Sequence, residues 1–286
     1  MRKAFKTLEQ KKVDFLIPFY EKDIRLTIDP ALIELFDEDL YEDTILKFVK
    51  HIFKLIGQRA SKSAESLINF PEVNEIRLGY ASKNKYGKGN GIEYNQQIFD
   101  FLMKKHSAFI KQELRIEMLY WGINGLAHDR LSDIVANLLK SYLIGYTQER
   151  AKQNKIPVNY VIMKNVFDFS RMNWQPEVNI KLPLNASSAF HGQGILFIPK
   201  RFLRELPYFN FEGLKRICLK AMQSEEAMKK EKPRYTRKDE VIKEIVRRPR
   251  HVDEYIGKKK SLEYRDRFPL EPYDVDNDPH GLLKDS

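Results

Sequence analysis

The sequence of 286 residues has almost no cysteine and no long apolar run, and both absences narrow its class. Cys218 is the only cysteine, which excludes a disulfide framework within the chain and a zinc site built on several cysteines. We therefore expect a reducing, cytoplasmic compartment. No apolar stretch approaches the roughly 18 residues of a membrane span, and the basic start lacks the apolar segment of a signal peptide. These patterns predict no membrane association.

Charge is the second imbalance. The chain has 50 Lys and Arg residues against 40 Asp and Glu residues, a formal net charge of +10. Such a balance favours an anionic partner, of which nucleic acid is the commonest. A soluble protein that is merely basic is the alternative, because the charge is spread along the chain and not gathered into one tail.

Apolar periodicity predicts an α+β fold in which a buried central helix packs on a mainly antiparallel sheet. Alternation predicts strands at residues 13–17, 24–28, 75–80, 158–166, 177–182 and 194–199, the last three as a meander. Helical spacing predicts helices at residues 41–57, 93–117, 129–154 and 211–228. Asp29 before Pro30 predicts a helix cap, with a catalytic carboxylate at a strand end as the alternative.

The predicted central helix follows two glycines, Gly122 and Gly125. Its apolar residues surround the helix between Tyr142 and Tyr146, which predicts burial there and a polar N-terminal half that faces a cleft. We assign residues 1–228 to the α+β domain. Residues 229–286 are dense in charge and predict a partly helical C-terminal extension that docks on a protein partner or on nucleic acid.

The first turns of the central helix carry paired carboxylates, Asp129 and Asp133, which share one helix face. Two carboxylates on one face suit a divalent metal or general acid/base chemistry, so both are candidate catalytic residues and ligands for Mg²⁺ or Mn²⁺. A structural role is the alternative: the helix dipole favours Asp129, and Arg130 or Lys140 would neutralise Asp133.

Two residues of a predicted strand, Glu177 and Lys181, complete the candidate catalytic set. The order of helix, strands and helix resembles a nuclease core in which a strand Asp precedes an acid-x-Lys triplet. The chain departs from that pattern because Asn179 stands where the acid is expected. Exposed cross-strand partners with no function are the alternative.

A loop rich in glycine and lysine precedes the second long helix. Glycines let backbone N–H groups converge on a phosphate at a helix N-terminus, so the loop is a candidate phosphate-binding site. Its residues are Lys83, Lys85, Gly87, Lys88 and Gly89. A solvated basic turn explains the same residues.

Three stretches resemble a group of uncharacterised bacterial proteins encoded near mobile elements and antiviral defence genes. They are Pro-Phe…Ile-Asp-Pro at 18–30, Leu-Gly-Tyr-x-Ser-Lys at 78–83 and Gly-Ile-x-Gly…Asp-Arg-x-Ser-Asp at 122–133. The resemblance spans about the first half of the chain and implies a defence role without assigning a reaction.

We therefore expect a nucleic-acid-binding, DNA-binding protein of the bacterial defence type, with a divalent-metal nuclease as the most specific form of that hypothesis. A non-catalytic subunit that binds nucleic acid or protein is the second hypothesis. An enzyme that acts on a nucleotide is the third.

Overall fold

The architecture comes from a computed structural model that describes residues 5, 7–79, 91–109, 115–123, 125–186, 192–228 and 238–283. The helices are α1 (Pro30–Phe36), α2 (Glu38–Tyr41), α3 (Lys47–Gly57), α4 (Ser61–Leu67), α5 (Gly91–Phe109), α6 (Glu117–Gly122), α7 (His128–Gln153), α8 (Phe211–Met228), α9 (Lys238–Arg247), α10 (Arg250–Lys260) and α11 (Leu262–Arg267). The strands are β1 (Thr27–Ile28), β2 (Asn159–Asp168), β3 (Asn173–Leu182) and β4 (Leu203–Arg204). Antiparallel pairs join β1 to β4 and β2 to β3. The predicted α+β class is confirmed.

The predicted central helix is α7, which packs against α6, β1, β2 and β3. Every residue from Ile134 to Lys140 is buried, whereas Ser141 and Gly145 are exposed. The predicted all-round burial between Tyr142 and Tyr146 is therefore wrong, and the enclosed stretch lies nearer the N-terminus. The prediction relied on apolar side chains alone, and the enclosed stretch contains two polar side chains that are buried because they form hydrogen bonds within the protein.

Those two polar side chains are Asn137 and Lys140. The Asn137 amide donates to the carbonyl of Pro71 (2.7 Å) and accepts from the amide of Asn165 (3.0 Å). The Lys140 ammonium donates to the carbonyl of Lys164 at 3.1 Å. Buried polar groups that are paired in this way avoid the desolvation penalty, so a helix can be enclosed without being apolar all round.

The β2–β3 hairpin confirms two strands of the predicted meander, and its inner side chains, such as Val161 and Met163, belong to the core around α7. The third predicted strand, residues 194–199, is wrong. This segment makes isolated bridges only, Gly194 with Leu184 and Pro199 with Phe15. Its residues 195–198 are all buried, so it is an extended segment enclosed on both sides.

The predicted strands near the N-terminus are also mostly wrong. Residues 13–17 make one isolated bridge, and of residues 24–28 only Thr27 and Ile28 form a strand, which pairs with β4. A 3-10 turn, Asn74–Ile76, takes the first two residues of the strand predicted at 75–80, and Leu78 makes one isolated bridge, with Ile24. Residues 15–17 are buried in succession, so the apolar alternation does not mark a sheet with one exposed face.

The predicted cap at the start of α1 is confirmed. One carboxylate oxygen of Asp29 accepts the N–H of Ala31 at 3.0 Å, and the other accepts the N–H of Tyr208 at 2.7 Å. Asp29 is fully buried, and this burial raises its pKa to about 6. The same side chain thus caps α1 and fastens the segment before α8 to the core.

The C-terminal segment is charged and helical, as predicted, and several of its apolar side chains lie in the same core as those of residues 1–228. Val241, Ile245, Val252, Tyr255 and Val275 are buried in that core. Among the described helices, none combines the length and the apolar character that crossing a bilayer requires.

Close packing explains why α6 ends in glycine. A methyl group at Gly122 would overlap the ring of Phe101 on α5. We expect Gly122→Ala to lower the free energy of unfolding by about 1–3 kcal/mol, because the ring must move within a packed core. Denaturant unfolding measures this change.

Gly145→Ala is the matched control, since a Cβ at this exposed position of α7 meets no atom within 4 Å. Replacing a helical glycine with alanine there should raise the free energy of unfolding by up to about 1 kcal/mol. Equal effects of the two substitutions would contradict a special packing role for Gly122.

Candidate functional site

The paired carboxylates occupy the first two turns of α7. An oxygen of Asp129 accepts the N–H of Arg130 at 2.8 Å. Asp133 accepts the N–H of Val73 at 3.4 Å and lies 3.5 Å from a guanidinium nitrogen of Arg130. Only 16% of the Asp133 side chain is exposed, so this carboxyl is packed beneath the Val73 segment. Arg130 is thus one of the two cations that the structural alternative offered as a partner of Asp133, and it forms this ion pair.

Burial dominates the electrostatics of Asp133 and raises its pKa to about 7. Arg130 and the N–H of Val73 oppose the rise, whereas the negative charges of Glu72 and Asp129 add to it. A carboxyl that titrates near neutrality has the proton affinity of a general acid or base. Burial of a structural carboxyl has the same effect, so the pKa alone assigns no chemistry.

Glu177 and Lys181 lie on the outer face of the β2–β3 hairpin, which faces away from α7. They alternate with Val178 and Ile180, which pack on the core. The Lys181 ammonium sits over the ring of Tyr160, 4.9 Å from its centroid. The hairpin therefore separates these two residues from the carboxylates on α7.

The four predicted catalytic residues are thus not brought together around one position. Within the described ranges, no group of three or more His, Cys, Asp or Glu side chains is placed to hold a metal ion. The Mg²⁺ or Mn²⁺ site at Asp129 and Asp133 stays a prediction. The predicted phosphate-binding residues, Lys83, Lys85, Gly87, Lys88 and Gly89, lie outside the described residues.

A different site emerges at the other end of α7. An open pocket of about 770 Å³ lies between the C-terminal half of α7 and three other segments. We call it the basic pocket. It is lined by Lys11, Lys12, Val13, Asp14, Tyr142, Tyr146, Glu149, Arg150, Pro199, Lys200, Arg201 and Asp276. The volume is within the range of small-molecule and cofactor sites.

One wall of the basic pocket is a column of three side chains on α7. Tyr142, Tyr146 and Arg150 follow one another at intervals of four residues and so share a helix face. The two rings are stacked with their centroids 6.0 Å apart, and the Arg150 guanidinium lies 4.7 Å from the Tyr146 centroid. Burial raises the pKa of Tyr146, so its phenol stays protonated at neutral pH.

The rim of the basic pocket carries more positive than negative charge, with five Lys or Arg side chains against three carboxylates. The carboxylates are held by cations: Asp14 and Glu149 by Arg150 (2.8 and 3.0 Å), and Asp276 by Lys200 (2.5 Å). Two more of the cations, Lys12 and Arg201, pair with Glu9 (2.7 Å) and Asp37 (2.8 Å), which do not line the pocket.

Sequence reasoning missed the basic pocket because its cations are far apart in the chain. Lys200 donates to the carbonyl of Gln10, a contact between residues separated by 190 positions. No spacing rule connects a lysine pair near the N-terminus with Lys200 and Arg201. The one local signal was the column on α7, whose tyrosines the periodicity assigned to the core.

Comparison with known proteins gives one match. A family model described as a domain of unknown function (DUF8370) matches residues 6–210, about seven tenths of the chain. No curated protein and no solved structure matches the chain.

Proposed function

The chain belongs to the DUF8370 family, and we propose that it binds nucleic acid through the basic pocket. The observation that carries the proposal is the convergence of Lys11, Lys12, Lys200 and Arg201 beside the tyrosine column of α7. Phosphate contacts by Lys and Arg supply most of the affinity of proteins for nucleic acid.

The geometry suits an extended polyanion better than an isolated ion. The pocket is open, and its cations come from the 3-10 turn Gln10–Lys12, from α7 and from the 3-10 turn Lys200–Phe202. Cations on separate segments can contact successive phosphates of one chain. The net charge of +10 acts in the same direction by drawing polyanions toward the surface.

Tyr142 adds a group that can contact sugar or phosphate. Its side chain is half-buried, and this burial raises the pKa of the phenol, an effect that hydrogen bonding with Arg201 partly offsets. A neutral phenol is both a donor and an acceptor of hydrogen bonds. The proposal is for binding; cleavage by a metal at Asp129 and Asp133, and a role in bacterial antiviral defence, remain separate hypotheses.

We expect Lys11→Gln/Lys12→Gln to weaken binding of a labelled 20-base-pair DNA by about five- to tenfold. Both side chains are exposed on one 3-10 turn, so their removal leaves the core intact. Loss of two phosphate contacts should also make the negative slope of log K against log salt shallower by about two. Fluorescence anisotropy over a salt series measures both quantities.

The matched control is Lys50→Gln/Lys62→Gln, which removes the same charge from exposed positions that do not line the basic pocket. Nearly unchanged affinity in this variant is expected. If both double variants lose the same affinity, binding depends on overall charge and the pocket is not the site. Absence of salt-dependent binding by the wild-type protein to duplex or single-stranded DNA and RNA would contradict the proposal as a whole.

A further inference from the structure

One carboxylate of an acidic segment of the chain lines the basic pocket. Residues 273–278 read Tyr-Asp-Val-Asp-Asn-Asp, and we call them the acidic segment. The Asp276 carboxylate is 2.5 Å from the Lys200 ammonium, and Asp276 is the segment's only residue that lines the pocket. Hydrogen bonds from Asn277 lower the pKa of Asp274, and Lys11 lowers it further.

The fold anchors the acidic segment without using Asp276. The N–H of Tyr273 donates to the carbonyl of Leu203 at 2.7 Å, and Val275 is buried in the core. The Asp278 carboxylate accepts hydrogen bonds from the phenol of Tyr273 and from the N–H groups of Leu282 and Leu283. Asp276 is therefore the one carboxylate of the segment that is directed at a pocket cation and not at its own turn.

The Lys200 ammonium has a second anchor. It donates to the carbonyl of Gln10 at 2.6 Å, and its side chain is 16% exposed against 40% for Asp276. The ammonium would stay in place if the carboxylate moved away, ready for another anionic oxygen. Because its Asp276 partner is exposed to solvent, the ion pair holds the carboxylate weakly, and a phosphate can replace it.

We propose that Lys200 is a phosphate-binding position of the basic pocket and that Asp276 occupies it as a competitor of nucleic acid. The inference rests on the proposed function and adds a regulatory contact to it. A phosphate of the bound strand takes the place of the Asp276 carboxylate on Lys200. The acidic segment thereby lowers the affinity of the free protein for nucleic acid and disfavours weak, non-specific polyanions.

We expect Asp276→Asn to bind the labelled DNA about three- to tenfold more tightly than wild type. The freed Lys200 should make the negative slope of log K against log salt steeper by about one. The melting temperature should stay the same, because the segment's anchors do not involve this carboxylate. In a Lys200→Gln background, Asp276→Asn should raise the affinity for DNA no more than removal of a distant carboxylate does. The Lys200–Asp276 ion pair, which the substitution would otherwise release, is already absent there.

Asp266→Asn is the matched control, because it removes the same charge from an exposed position on α11 outside the pocket. Equal gains from Asp276→Asn and Asp266→Asn would overturn the inference. A lower melting temperature together with unchanged or weaker binding would also overturn it, since Asp276 would then be a structural clamp. In either case, the proposed function still stands if Lys11→Gln/Lys12→Gln loses affinity for DNA and Lys50→Gln/Lys62→Gln does not. If that variant binds like wild type, the proposed function itself fails.

Discussion

Replacing Arg115 with methionine is expected to lower the free energy of unfolding by about 3–5 kcal/mol. Arg115 is buried, and its guanidinium pairs with Glu34 at 2.8 Å and with Glu117 at 3.1 Å. Glu117 is fully buried, so methionine would take from its carboxylate the charge partner that the described part of the chain provides. The guanidinium also lies 4.2 Å from the ring centroid of Phe209, a contact that is lost as well. Denaturant unfolding at neutral pH measures the change.

The double variant Arg115→Met/Glu117→Gln separates the stranded charge from lost packing. It should recover a large part of the stability, because the buried carboxylate is removed together with its partner. Glu34 needs no such correction, since it is partly exposed and retains Lys260 on α10 at 3.1 Å. If the double variant is no more stable than Arg115→Met, the uncompensated carboxylate is not the cause of the loss.

The Arg115 cluster also shows why the C-terminal helices could not be placed from the sequence. Glu34 on α1 joins Arg115 before α6 to Lys260 on α10 through two ion pairs. These residues are more than eighty positions apart in every pairing, and charged residues in a sequence give no sign of burial. The charge-dense segment was predicted as an extension, whereas several of its apolar residues, such as Val252 and Tyr255, are buried in the core.

The sequence predicted best those elements whose signal is local. The Asp29–Pro30 cap, helix α7 and the β2–β3 hairpin each depend on a spacing of a few residues, and all three are confirmed. The extended segments at 13–28 and 194–199 carry the same alternation as strands. Whether such a segment acquires a neighbouring strand is decided by the tertiary packing, which alternation does not encode.

For the candidate site, the sequence drew attention to the N-terminal turns of α7 and gave no sign of the basic pocket at its C-terminal half. Asp129 and Asp133 formed a visible motif, whereas the basic pocket depends on the approach of three distant segments. Enclosure of Ile134–Lys140 leaves the C-terminal half of α7 with an accessible side, where Tyr142 and Arg150 line the pocket. Charge counts indicated an anionic partner but gave no position for it.

Asp133→Asn is expected to make the protein more stable at alkaline pH and to leave it unchanged near pH 4. Burial raises the pKa of Asp133 to about 7 from an ordinary value of 3.8, so between these values the folded chain holds a proton that the unfolded chain has released. Stability therefore falls as the pH rises through this window. Asparagine does not titrate, and the variant should exceed wild type by roughly 2–4 kcal/mol at pH 8.

The difference between variant and wild type isolates Asp133, because Asp29, whose pKa is raised to about 6, contributes the same slope to both. Denaturant unfolding from pH 4 to pH 8 measures it. A difference that stays flat, or a variant that is less stable at pH 8, would mean that Arg130 holds the folded carboxylate ionised. A cleavage assay of Asp133→Asn therefore needs a stability measurement at the same pH.

The same pair of proteins tests the predicted metal site without an activity assay. A divalent cation that binds the ionised carboxylates would stabilise the folded state by mass action and offset the cost of burying that charge. At pH 8, Mg²⁺ or Mn²⁺ should then raise the melting temperature of wild type and leave that of Asp133→Asn unchanged. If both proteins respond equally or neither responds, Asp133 is not a ligand of these ions, and the proposed nucleic-acid binding at the basic pocket does not depend on that result.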